Sequence, residues 1–234
     1  MGKFVLTAEI EKAIRQDGMV GCVIYGPMRI GKSVFALKTL YQLYGNWDDV
    51  LAHTVFRLED MVGLIEQAMG KDQKVKAVLW DDAGVYGGRM RYFENRTLIQ
   101  YLENLLDTIG LSLHALLMTS PSVLSLLKCL RTYEFYRIKI YRDTGQRRYA
   151  IAYMSTLLPS GTRLIHRKWR DNYTCRLPDD VWKEYLVRRQ GYLREAISQL
   201  KSLAHARSRA TDMEPYPDNA YPGNGHDDLI DEEV

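Results

Sequence analysis

"VIYGPMRIGKSVFAL", residues 23–37, sets an apolar run, a glycine turn and a lysine–serine pair directly ahead of a helical pattern. Within it, residues 26–33 fill every fixed position of the phosphate-binding pattern G-x-x-x-x-G-K-[ST]. The two glycines let the backbone turn so that successive amides converge as an anion nest. The helix that follows adds the positive end of its dipole. Lys32 is spaced to reach the β- and γ-phosphates, and the Ser33 hydroxyl to complete a Mg²⁺ shell. The expected nucleotide-binding run is Gly26, Pro27, Met28, Arg29, Ile30, Gly31, Lys32, Ser33 and Val34.

Outward from this loop, strands alternate with helices. "GMVGCVIY" is a buried strand, and "GKSVFALKTLYQLYG" a helix with Val34, Leu37, Leu40 and Tyr41 on one face and Gly45 as its stop. Ahead of them, "TAEIEKAIRQD" reads as a short helix with Thr7 as its cap. "VLAHTVFR" reads as a second strand and "LEDMVGLIEQAMG" as a helix. "KVKAVLWDDAG" gives a third strand, apolar from Ala77 to Trp80. "ENRTLIQYLENLLDTIG" is a helix, "LSLHALLMTS" a fourth strand, and "PSVLSLLKCLR" a short helix starting at Pro121. This alternation over residues 19–130 predicts a parallel sheet with right-handed crossovers. Beyond it, "YEFYRIKIYRDTGQRRYAIAYMS" is a hairpin turning at Asp143-Thr144-Gly145, and a long amphipathic helix begins just after Pro178.

Asp81 follows the third strand and is the candidate second Mg²⁺ ligand; Asp82 beside it is the candidate to activate the attacking water. Two acids opening a turn is the plainer reading of the same pair. Thr119 or Ser120, ending the fourth strand, suits contact with the γ-phosphate or the water, or a strand end and helix cap. Arg131 is the first candidate for an arginine finger acting on a neighbouring subunit, with Arg89 and Arg91 as alternatives. The five histidines show no i, i+4 pairing and the three cysteines no CxxC, so Mg²⁺ is the one metal expected.

The net charge of +3 hides an asymmetry: residues 211–234 hold eight acids and no Lys or Arg, leaving residues 1–210 at +11. A basic body invites a polyanion. Twelve Lys or Arg between Lys128 and Arg176 face only Glu134, Asp143 and Asp171, with six Tyr and Trp169 interleaved. That mixture suits nucleic acid, phosphates on cations and exposed bases on rings, and equally a solvated hairpin with aromatics packed beneath. The acidic tail has little to bury and is expected to be disordered, as a solubilising segment or a competitor for the basic surface. No run of about 18 apolar residues is present and the N-terminus is no secretory signal, so a cytoplasmic protein without a membrane span is expected.

"GPMRIGKS", "VLWDDAG", "LLMTS" and the nearby "CLR" resemble the ATPase core of the additional-strand P-loop class. Within it the chain is similar to small ATPases of archaeal viruses and plasmids, related to FtsK/HerA-type DNA translocases, Zot-like assembly ATPases and DnaA-like initiators. "LPDDVWKEYLVRRQGYLREA" resembles the C-terminal helix of such proteins. The resemblance covers about residues 19–142. It departs at Asp82, where such ATPases usually carry Glu, and at Thr119 and Ser120, where translocases often carry Gln. It implies an α/β, three-layer P-loop NTPase fold with a mostly parallel sheet, plus a C-terminal β-hairpin and long helix. The expected organisation is a core at 1–142, a basic hairpin and helix at 143–210, and the tail at 211–234. The implied function is Mg²⁺-dependent ATP hydrolysis coupled to a DNA transaction, by a homo-oligomer with no small-molecule substrate other than nucleotide. The alternatives are a Zot-like assembly or extrusion ATPase and a nucleotide-gated binding module with slow turnover. A small-molecule kinase ranks last, because the arginines gather in a late hairpin.

Overall fold

The computed structural model describes residues 2–83, 96–126, 130–131 and 133–211. Its α-helices are α1 (Val5–Arg15), α2 (Lys32–Tyr44), α3 (Trp47–Ala52), α4 (Leu58–Met69), α5 (Arg96–Thr108) and α6 (Asp179–Thr211). Its strands are β1 (Val20–Tyr25), β2 (Thr54–Val55), β3 (Val78–Trp80), β4 (Ala115–Ser120), β5 (Tyr136–Arg142), β6 (Arg147–Leu157) and β7 (Arg163–Thr174). They form one sheet in the order β2-β3-β4-β1-β5-β6-β7. Pairing is parallel from β2 to β5 and antiparallel from β5 to β7.

Helices on both faces make the fold three-layered α/β. On one side Met61 and Ile65 of α4 and Leu102 and Leu106 of α5 pack with Val23, Val78, Trp80, Leu116 and Met118. On the other, α1 and α2 lie against the sheet, and Phe4, Phe35 and Tyr173 form an aromatic cluster with ring centroids 5.1–6.3 Å apart. Because β4 is covered on both faces, all six of its residues are buried. β4 lies between β1 and β3, so the strand ending in the P-loop and the strand ending in the aspartates are next-but-one neighbours.

Several expectations are corrected. "VLAHTVFR" is not one strand: Asn46 accepts a bond from the Asp49 amide (2.8 Å) and starts α3, so only Thr54 and Val55 remain extended. Thr7 does not cap α1; it lies inside the helix and donates to Gln42 (2.7 Å), while Asp171 on β7 accepts from the Val5 and Leu6 amides. The segment after β4 opens on Ser122, not Pro121, as a short 3₁₀ turn, and residues 127–129 lie outside the described ones. β7 was not foreseen. A bulge opposite Ala152 and Tyr153 breaks its alternation, and cations fall on both sides of it.

The boundary expected at 142 does not separate compact units, because β5 to β7 extend the same sheet; the division falls between Arg189 and Gln190. Beyond it the described residues are the remainder of α6. The acidic tail from residue 212 and Arg89 and Arg91 lie outside the described residues. Among the described residues no helix is long and apolar enough to cross a membrane.

Candidate functional site

β1 ends at Tyr25 and the chain turns through Gly26 (φ 148°) to Gly31 (φ 107°), which opens α2. Gly31 is required twice over. Its φ lies in the left-handed region, and a Cβ there would come within 2.8 Å of Cys175 Sγ and 3.2 Å of Tyr173 Oη. Pro27, Met28 and Arg29 form the exposed tip, with Arg29 also left-handed (φ 59°), while Ile30 and Val34 anchor the loop in the core. The base is held from behind by the antiparallel strands. Arg148 Nε of β6 donates to the Ile30 carbonyl (3.0 Å) and Tyr173 Oη of β7 to the Gly31 carbonyl (3.0 Å).

Lys32 is buried and turns back over the loop, donating to the Gly26 (3.0 Å) and Pro27 (2.9 Å) carbonyls. Burial lowers its pKa, Arg189 adds to the lowering, and Asp82 and Asp81 oppose it. Ser33 Oγ donates to Asp81 Oδ1 across 2.9 Å, joining residues 48 apart. Asp81 is fully buried and also accepts from Thr119 Oγ1 (2.5 Å) and, on Oδ2, from the Tyr185 hydroxyl of α6. Thr119 accepts in return from the Asp82 amide (2.8 Å). Its proton is therefore committed to Asp81, and its place is to fix the two acids relative to each other. Ser120 faces away, bonding Ser122 O and Ser125 Oγ, and so serves the turn.

Asp82 sits at φ 52°, an unusual angle for a non-glycine residue, and forms an ion pair with Arg189 of α6 at 2.6 Å. Burial raises its pKa, the Asp81 charge adds to that, and Arg189 and Lys32 pull it back. Burial and then the Asp81 charge also push up the Tyr185 phenol, which stays protonated as a donor. Arg188 ties the same helix to the Leu51 carbonyl (2.8 Å).

The structure thus gathers Lys32, Ser33, Asp81, Asp82 and Thr119 into one cluster. Arg131 makes none of these contacts: its carbonyl accepts from Arg137 (3.1 Å), and its buried Nε has no partner among the described residues. Tyr185 and Arg189 were missed. The available signal was a tyrosine and an arginine four apart on an amphipathic helix, and hence on one face. The oxygen donors fit Mg²⁺, which takes one or two protein oxygens together with phosphates and water.

No family model matches the chain. It is 26% identical over 212 residues to an uncharacterized protein, B-251, of Sulfolobus spindle-shape virus 1, spanning 83% of each chain. It is 26% identical over 163 residues to an uncharacterized protein, ORF286, of Acidianus two-tailed virus, spanning 69% of this chain and 55% of that one. Among solved structures it is similar to the N-terminal domain of zonular occludens toxin from Neisseria meningitidis, with a TM-score of 0.41 and 14% identity, covering 71% of this chain and 98% of that one. The sequence relatives are thus proteins of archaeal viruses, and the fold is an α/β one in which the G-x-x-x-x-G-K-S turn joins β1 to α2 at the centre of a mostly parallel part of the sheet.

Proposed function

We propose that the chain is a Mg²⁺-dependent ATPase that couples ATP binding and hydrolysis to a DNA transaction of a virus or mobile element. It works as a homo-oligomer in the cytoplasm. The observation that carries the ATPase reading is the Ser33–Asp81 contact, which places a loop hydroxyl and a strand-end carboxylate together beside Lys32. In this reading the backbone N–H groups of Gly26 and residues 28–33 receive the phosphates. Lys32 exchanges the Gly26 and Pro27 carbonyls for the β- and γ-phosphate oxygens. Ser33 and Asp81 would hold Mg²⁺, which would supply charge neutralisation on the phosphates. Asp82 accepts the proton of the attacking water once Arg189 releases it, and Thr119 keeps both acids in register. The DNA part rests on the excess positive charge of residues 1–210.

The Asp82–Arg189 pair favours a second reading, a nucleotide-gated module with slow turnover, since it occupies the carboxylate needed as base. ATP turnover measured with and without DNA, beside Lys32→Ala, separates the two. Turnover that DNA stimulates and Lys32→Ala abolishes is the expected result. Tight ATP binding without turnover selects the gated module, and turnover indifferent to DNA at low salt removes the DNA part.

A further inference from the structure

β5, β6 and β7 present two unlike faces. One is buried at Ile138, Ile140, Ala150 and Ala152, and on β7 it meets α1 and α2 through Asp171 and Tyr173. The opposite face continues the side of β1 that carries Val23 and Tyr25, but there α4 and α5 have given way; among the described residues the 130–131 turn reaches its β1 side, where Arg137 donates to the Arg131 carbonyl (3.1 Å). Cross-strand register sets its residues in rows. Arg137 pairs with Tyr153 and Tyr153 with Arg167; Lys139 pairs with Ile151 and Ile151 with Arg170. A third row pairs Tyr141 with Tyr149, whose rings stack at 11° with centroids 5.1 Å apart. The cations lie on the rings: Lys139 is 5.1 Å from the Tyr141 centroid and Arg170 is 4.1 Å from that of Tyr149.

The three rows hold four cations and three tyrosines and no acid. At the hairpin end, a cavity of about 570 Å³ has Arg147, Arg170 and Asn172 of this face on its border together with Arg148 and Tyr173 of the other, with Asp143 as its one acid. A surface meant only for water has no need to place rings and guanidinium groups in register. Rings on a sheet offer flat apolar planes, and cations beside them offer phosphate contacts. A single strand can use both, because its bases expose π-faces that a duplex keeps stacked inside.

We infer that the face of β5–β6–β7 opposite α1 and α2 binds single-stranded DNA: Lys139 and Arg170 leave the Tyr141 and Tyr149 rings for phosphates, Arg137 and Arg167 join them, and bases take the ring faces so vacated. This rests on the DNA part of the function proposed above and names its surface and strand form.

The test is fluorescence anisotropy of a labelled 15-nucleotide single strand, and of the matching duplex, with the full chain and no nucleotide. The single strand is expected to bind more tightly, with a log–log salt slope of about −3 for four phosphate contacts. Arg167→Ala with Arg170→Ala weakens it at least tenfold at 100 mM salt and flattens the slope by about 1.4. Tyr149→Leu with Tyr153→Leu weakens it about tenfold and leaves the slope unchanged. ATP turnover without DNA and the melting curve stay as in the wild type, which excludes misfolding.

If the wild type binds DNA and all four substitutions leave affinity unchanged, the surface is wrong while the DNA role stands. If the duplex binds as tightly as the single strand and loses affinity on the same variants, the single-strand inference is overturned. If a peptide of residues 212–234 binds the face more tightly than the single strand, the face belongs to the acidic tail. If the wild type binds neither DNA at 50 mM salt, the DNA part of the proposed function falls and this inference with it.

Discussion

The parallel strands and the antiparallel strands of this one sheet organise polar residues in opposite ways. β1, β3 and β4 spell nearly continuous buried runs, so their polar chemistry is pushed to the strand ends, where Asp81 and Thr119 meet beside Ser33. β5 and β6 are covered on one face and carry cations and tyrosines along their whole length. The parallel part therefore builds a compact site at one edge, and the antiparallel part builds a surface. The two meet at the P-loop, whose carbonyls at Ile30 and Gly31 are held by Arg148 and Tyr173.

Three substitutions sharpen that contrast. Asp82→Asn strikes the parallel edge. Turnover is expected to fall about 10²–10⁴-fold with Mg²⁺–ATP affinity within a few fold of wild type, measured by steady-state hydrolysis and equilibrium binding. A variant keeping more than a tenth of the turnover removes Asp82 as the base. Arg148→Met strikes the join. It removes bonds to the Ile30, Gly145 and Arg147 carbonyls and is expected to cost about 1.5–3 kcal/mol in urea unfolding. Nucleotide affinity falls several-fold in the same variant. Lost stability with unchanged affinity means that the antiparallel strands support the fold and not the loop. Arg57→Ala, which opens a half-exposed pair with Asp60 at 2.9 Å, is the control and shifts stability by less than about 1 kcal/mol.

The same contrast explains what the sequence made legible. The loop of residues 26–33 is contiguous, so its pattern can be read from spacing alone, and Asp81 follows because a buried apolar strand has to end before a charge. β7 was hidden because a one-faced strand with cations on both sides and a bulge loses its period of two. Tyr185 and Arg189 were hidden for a different reason. They act on carboxylates 104 and 107 residues away, and nothing in a helix pattern says what its polar face will meet. The bonds of Thr119 to Asp81 and from the Asp82 amide were not legible, since a strand-end hydroxyl does not reveal whether it meets a ligand or the neighbouring acids.

The Asp171 carboxylate that accepts the Val5 and Leu6 amides has a consequence in time. The first helix of the chain is capped by a residue of the last strand. At translation rates of 5–20 residues per second, α1 leaves the ribosome roughly ten to thirty seconds before its cap exists. Until then its amides stay hydrated and the aromatic cluster of Phe4, Phe35 and Tyr173 stays open. The N-terminus is made first and finished last, so the nascent chain carries an undocked helix until β7 closes the sheet over it.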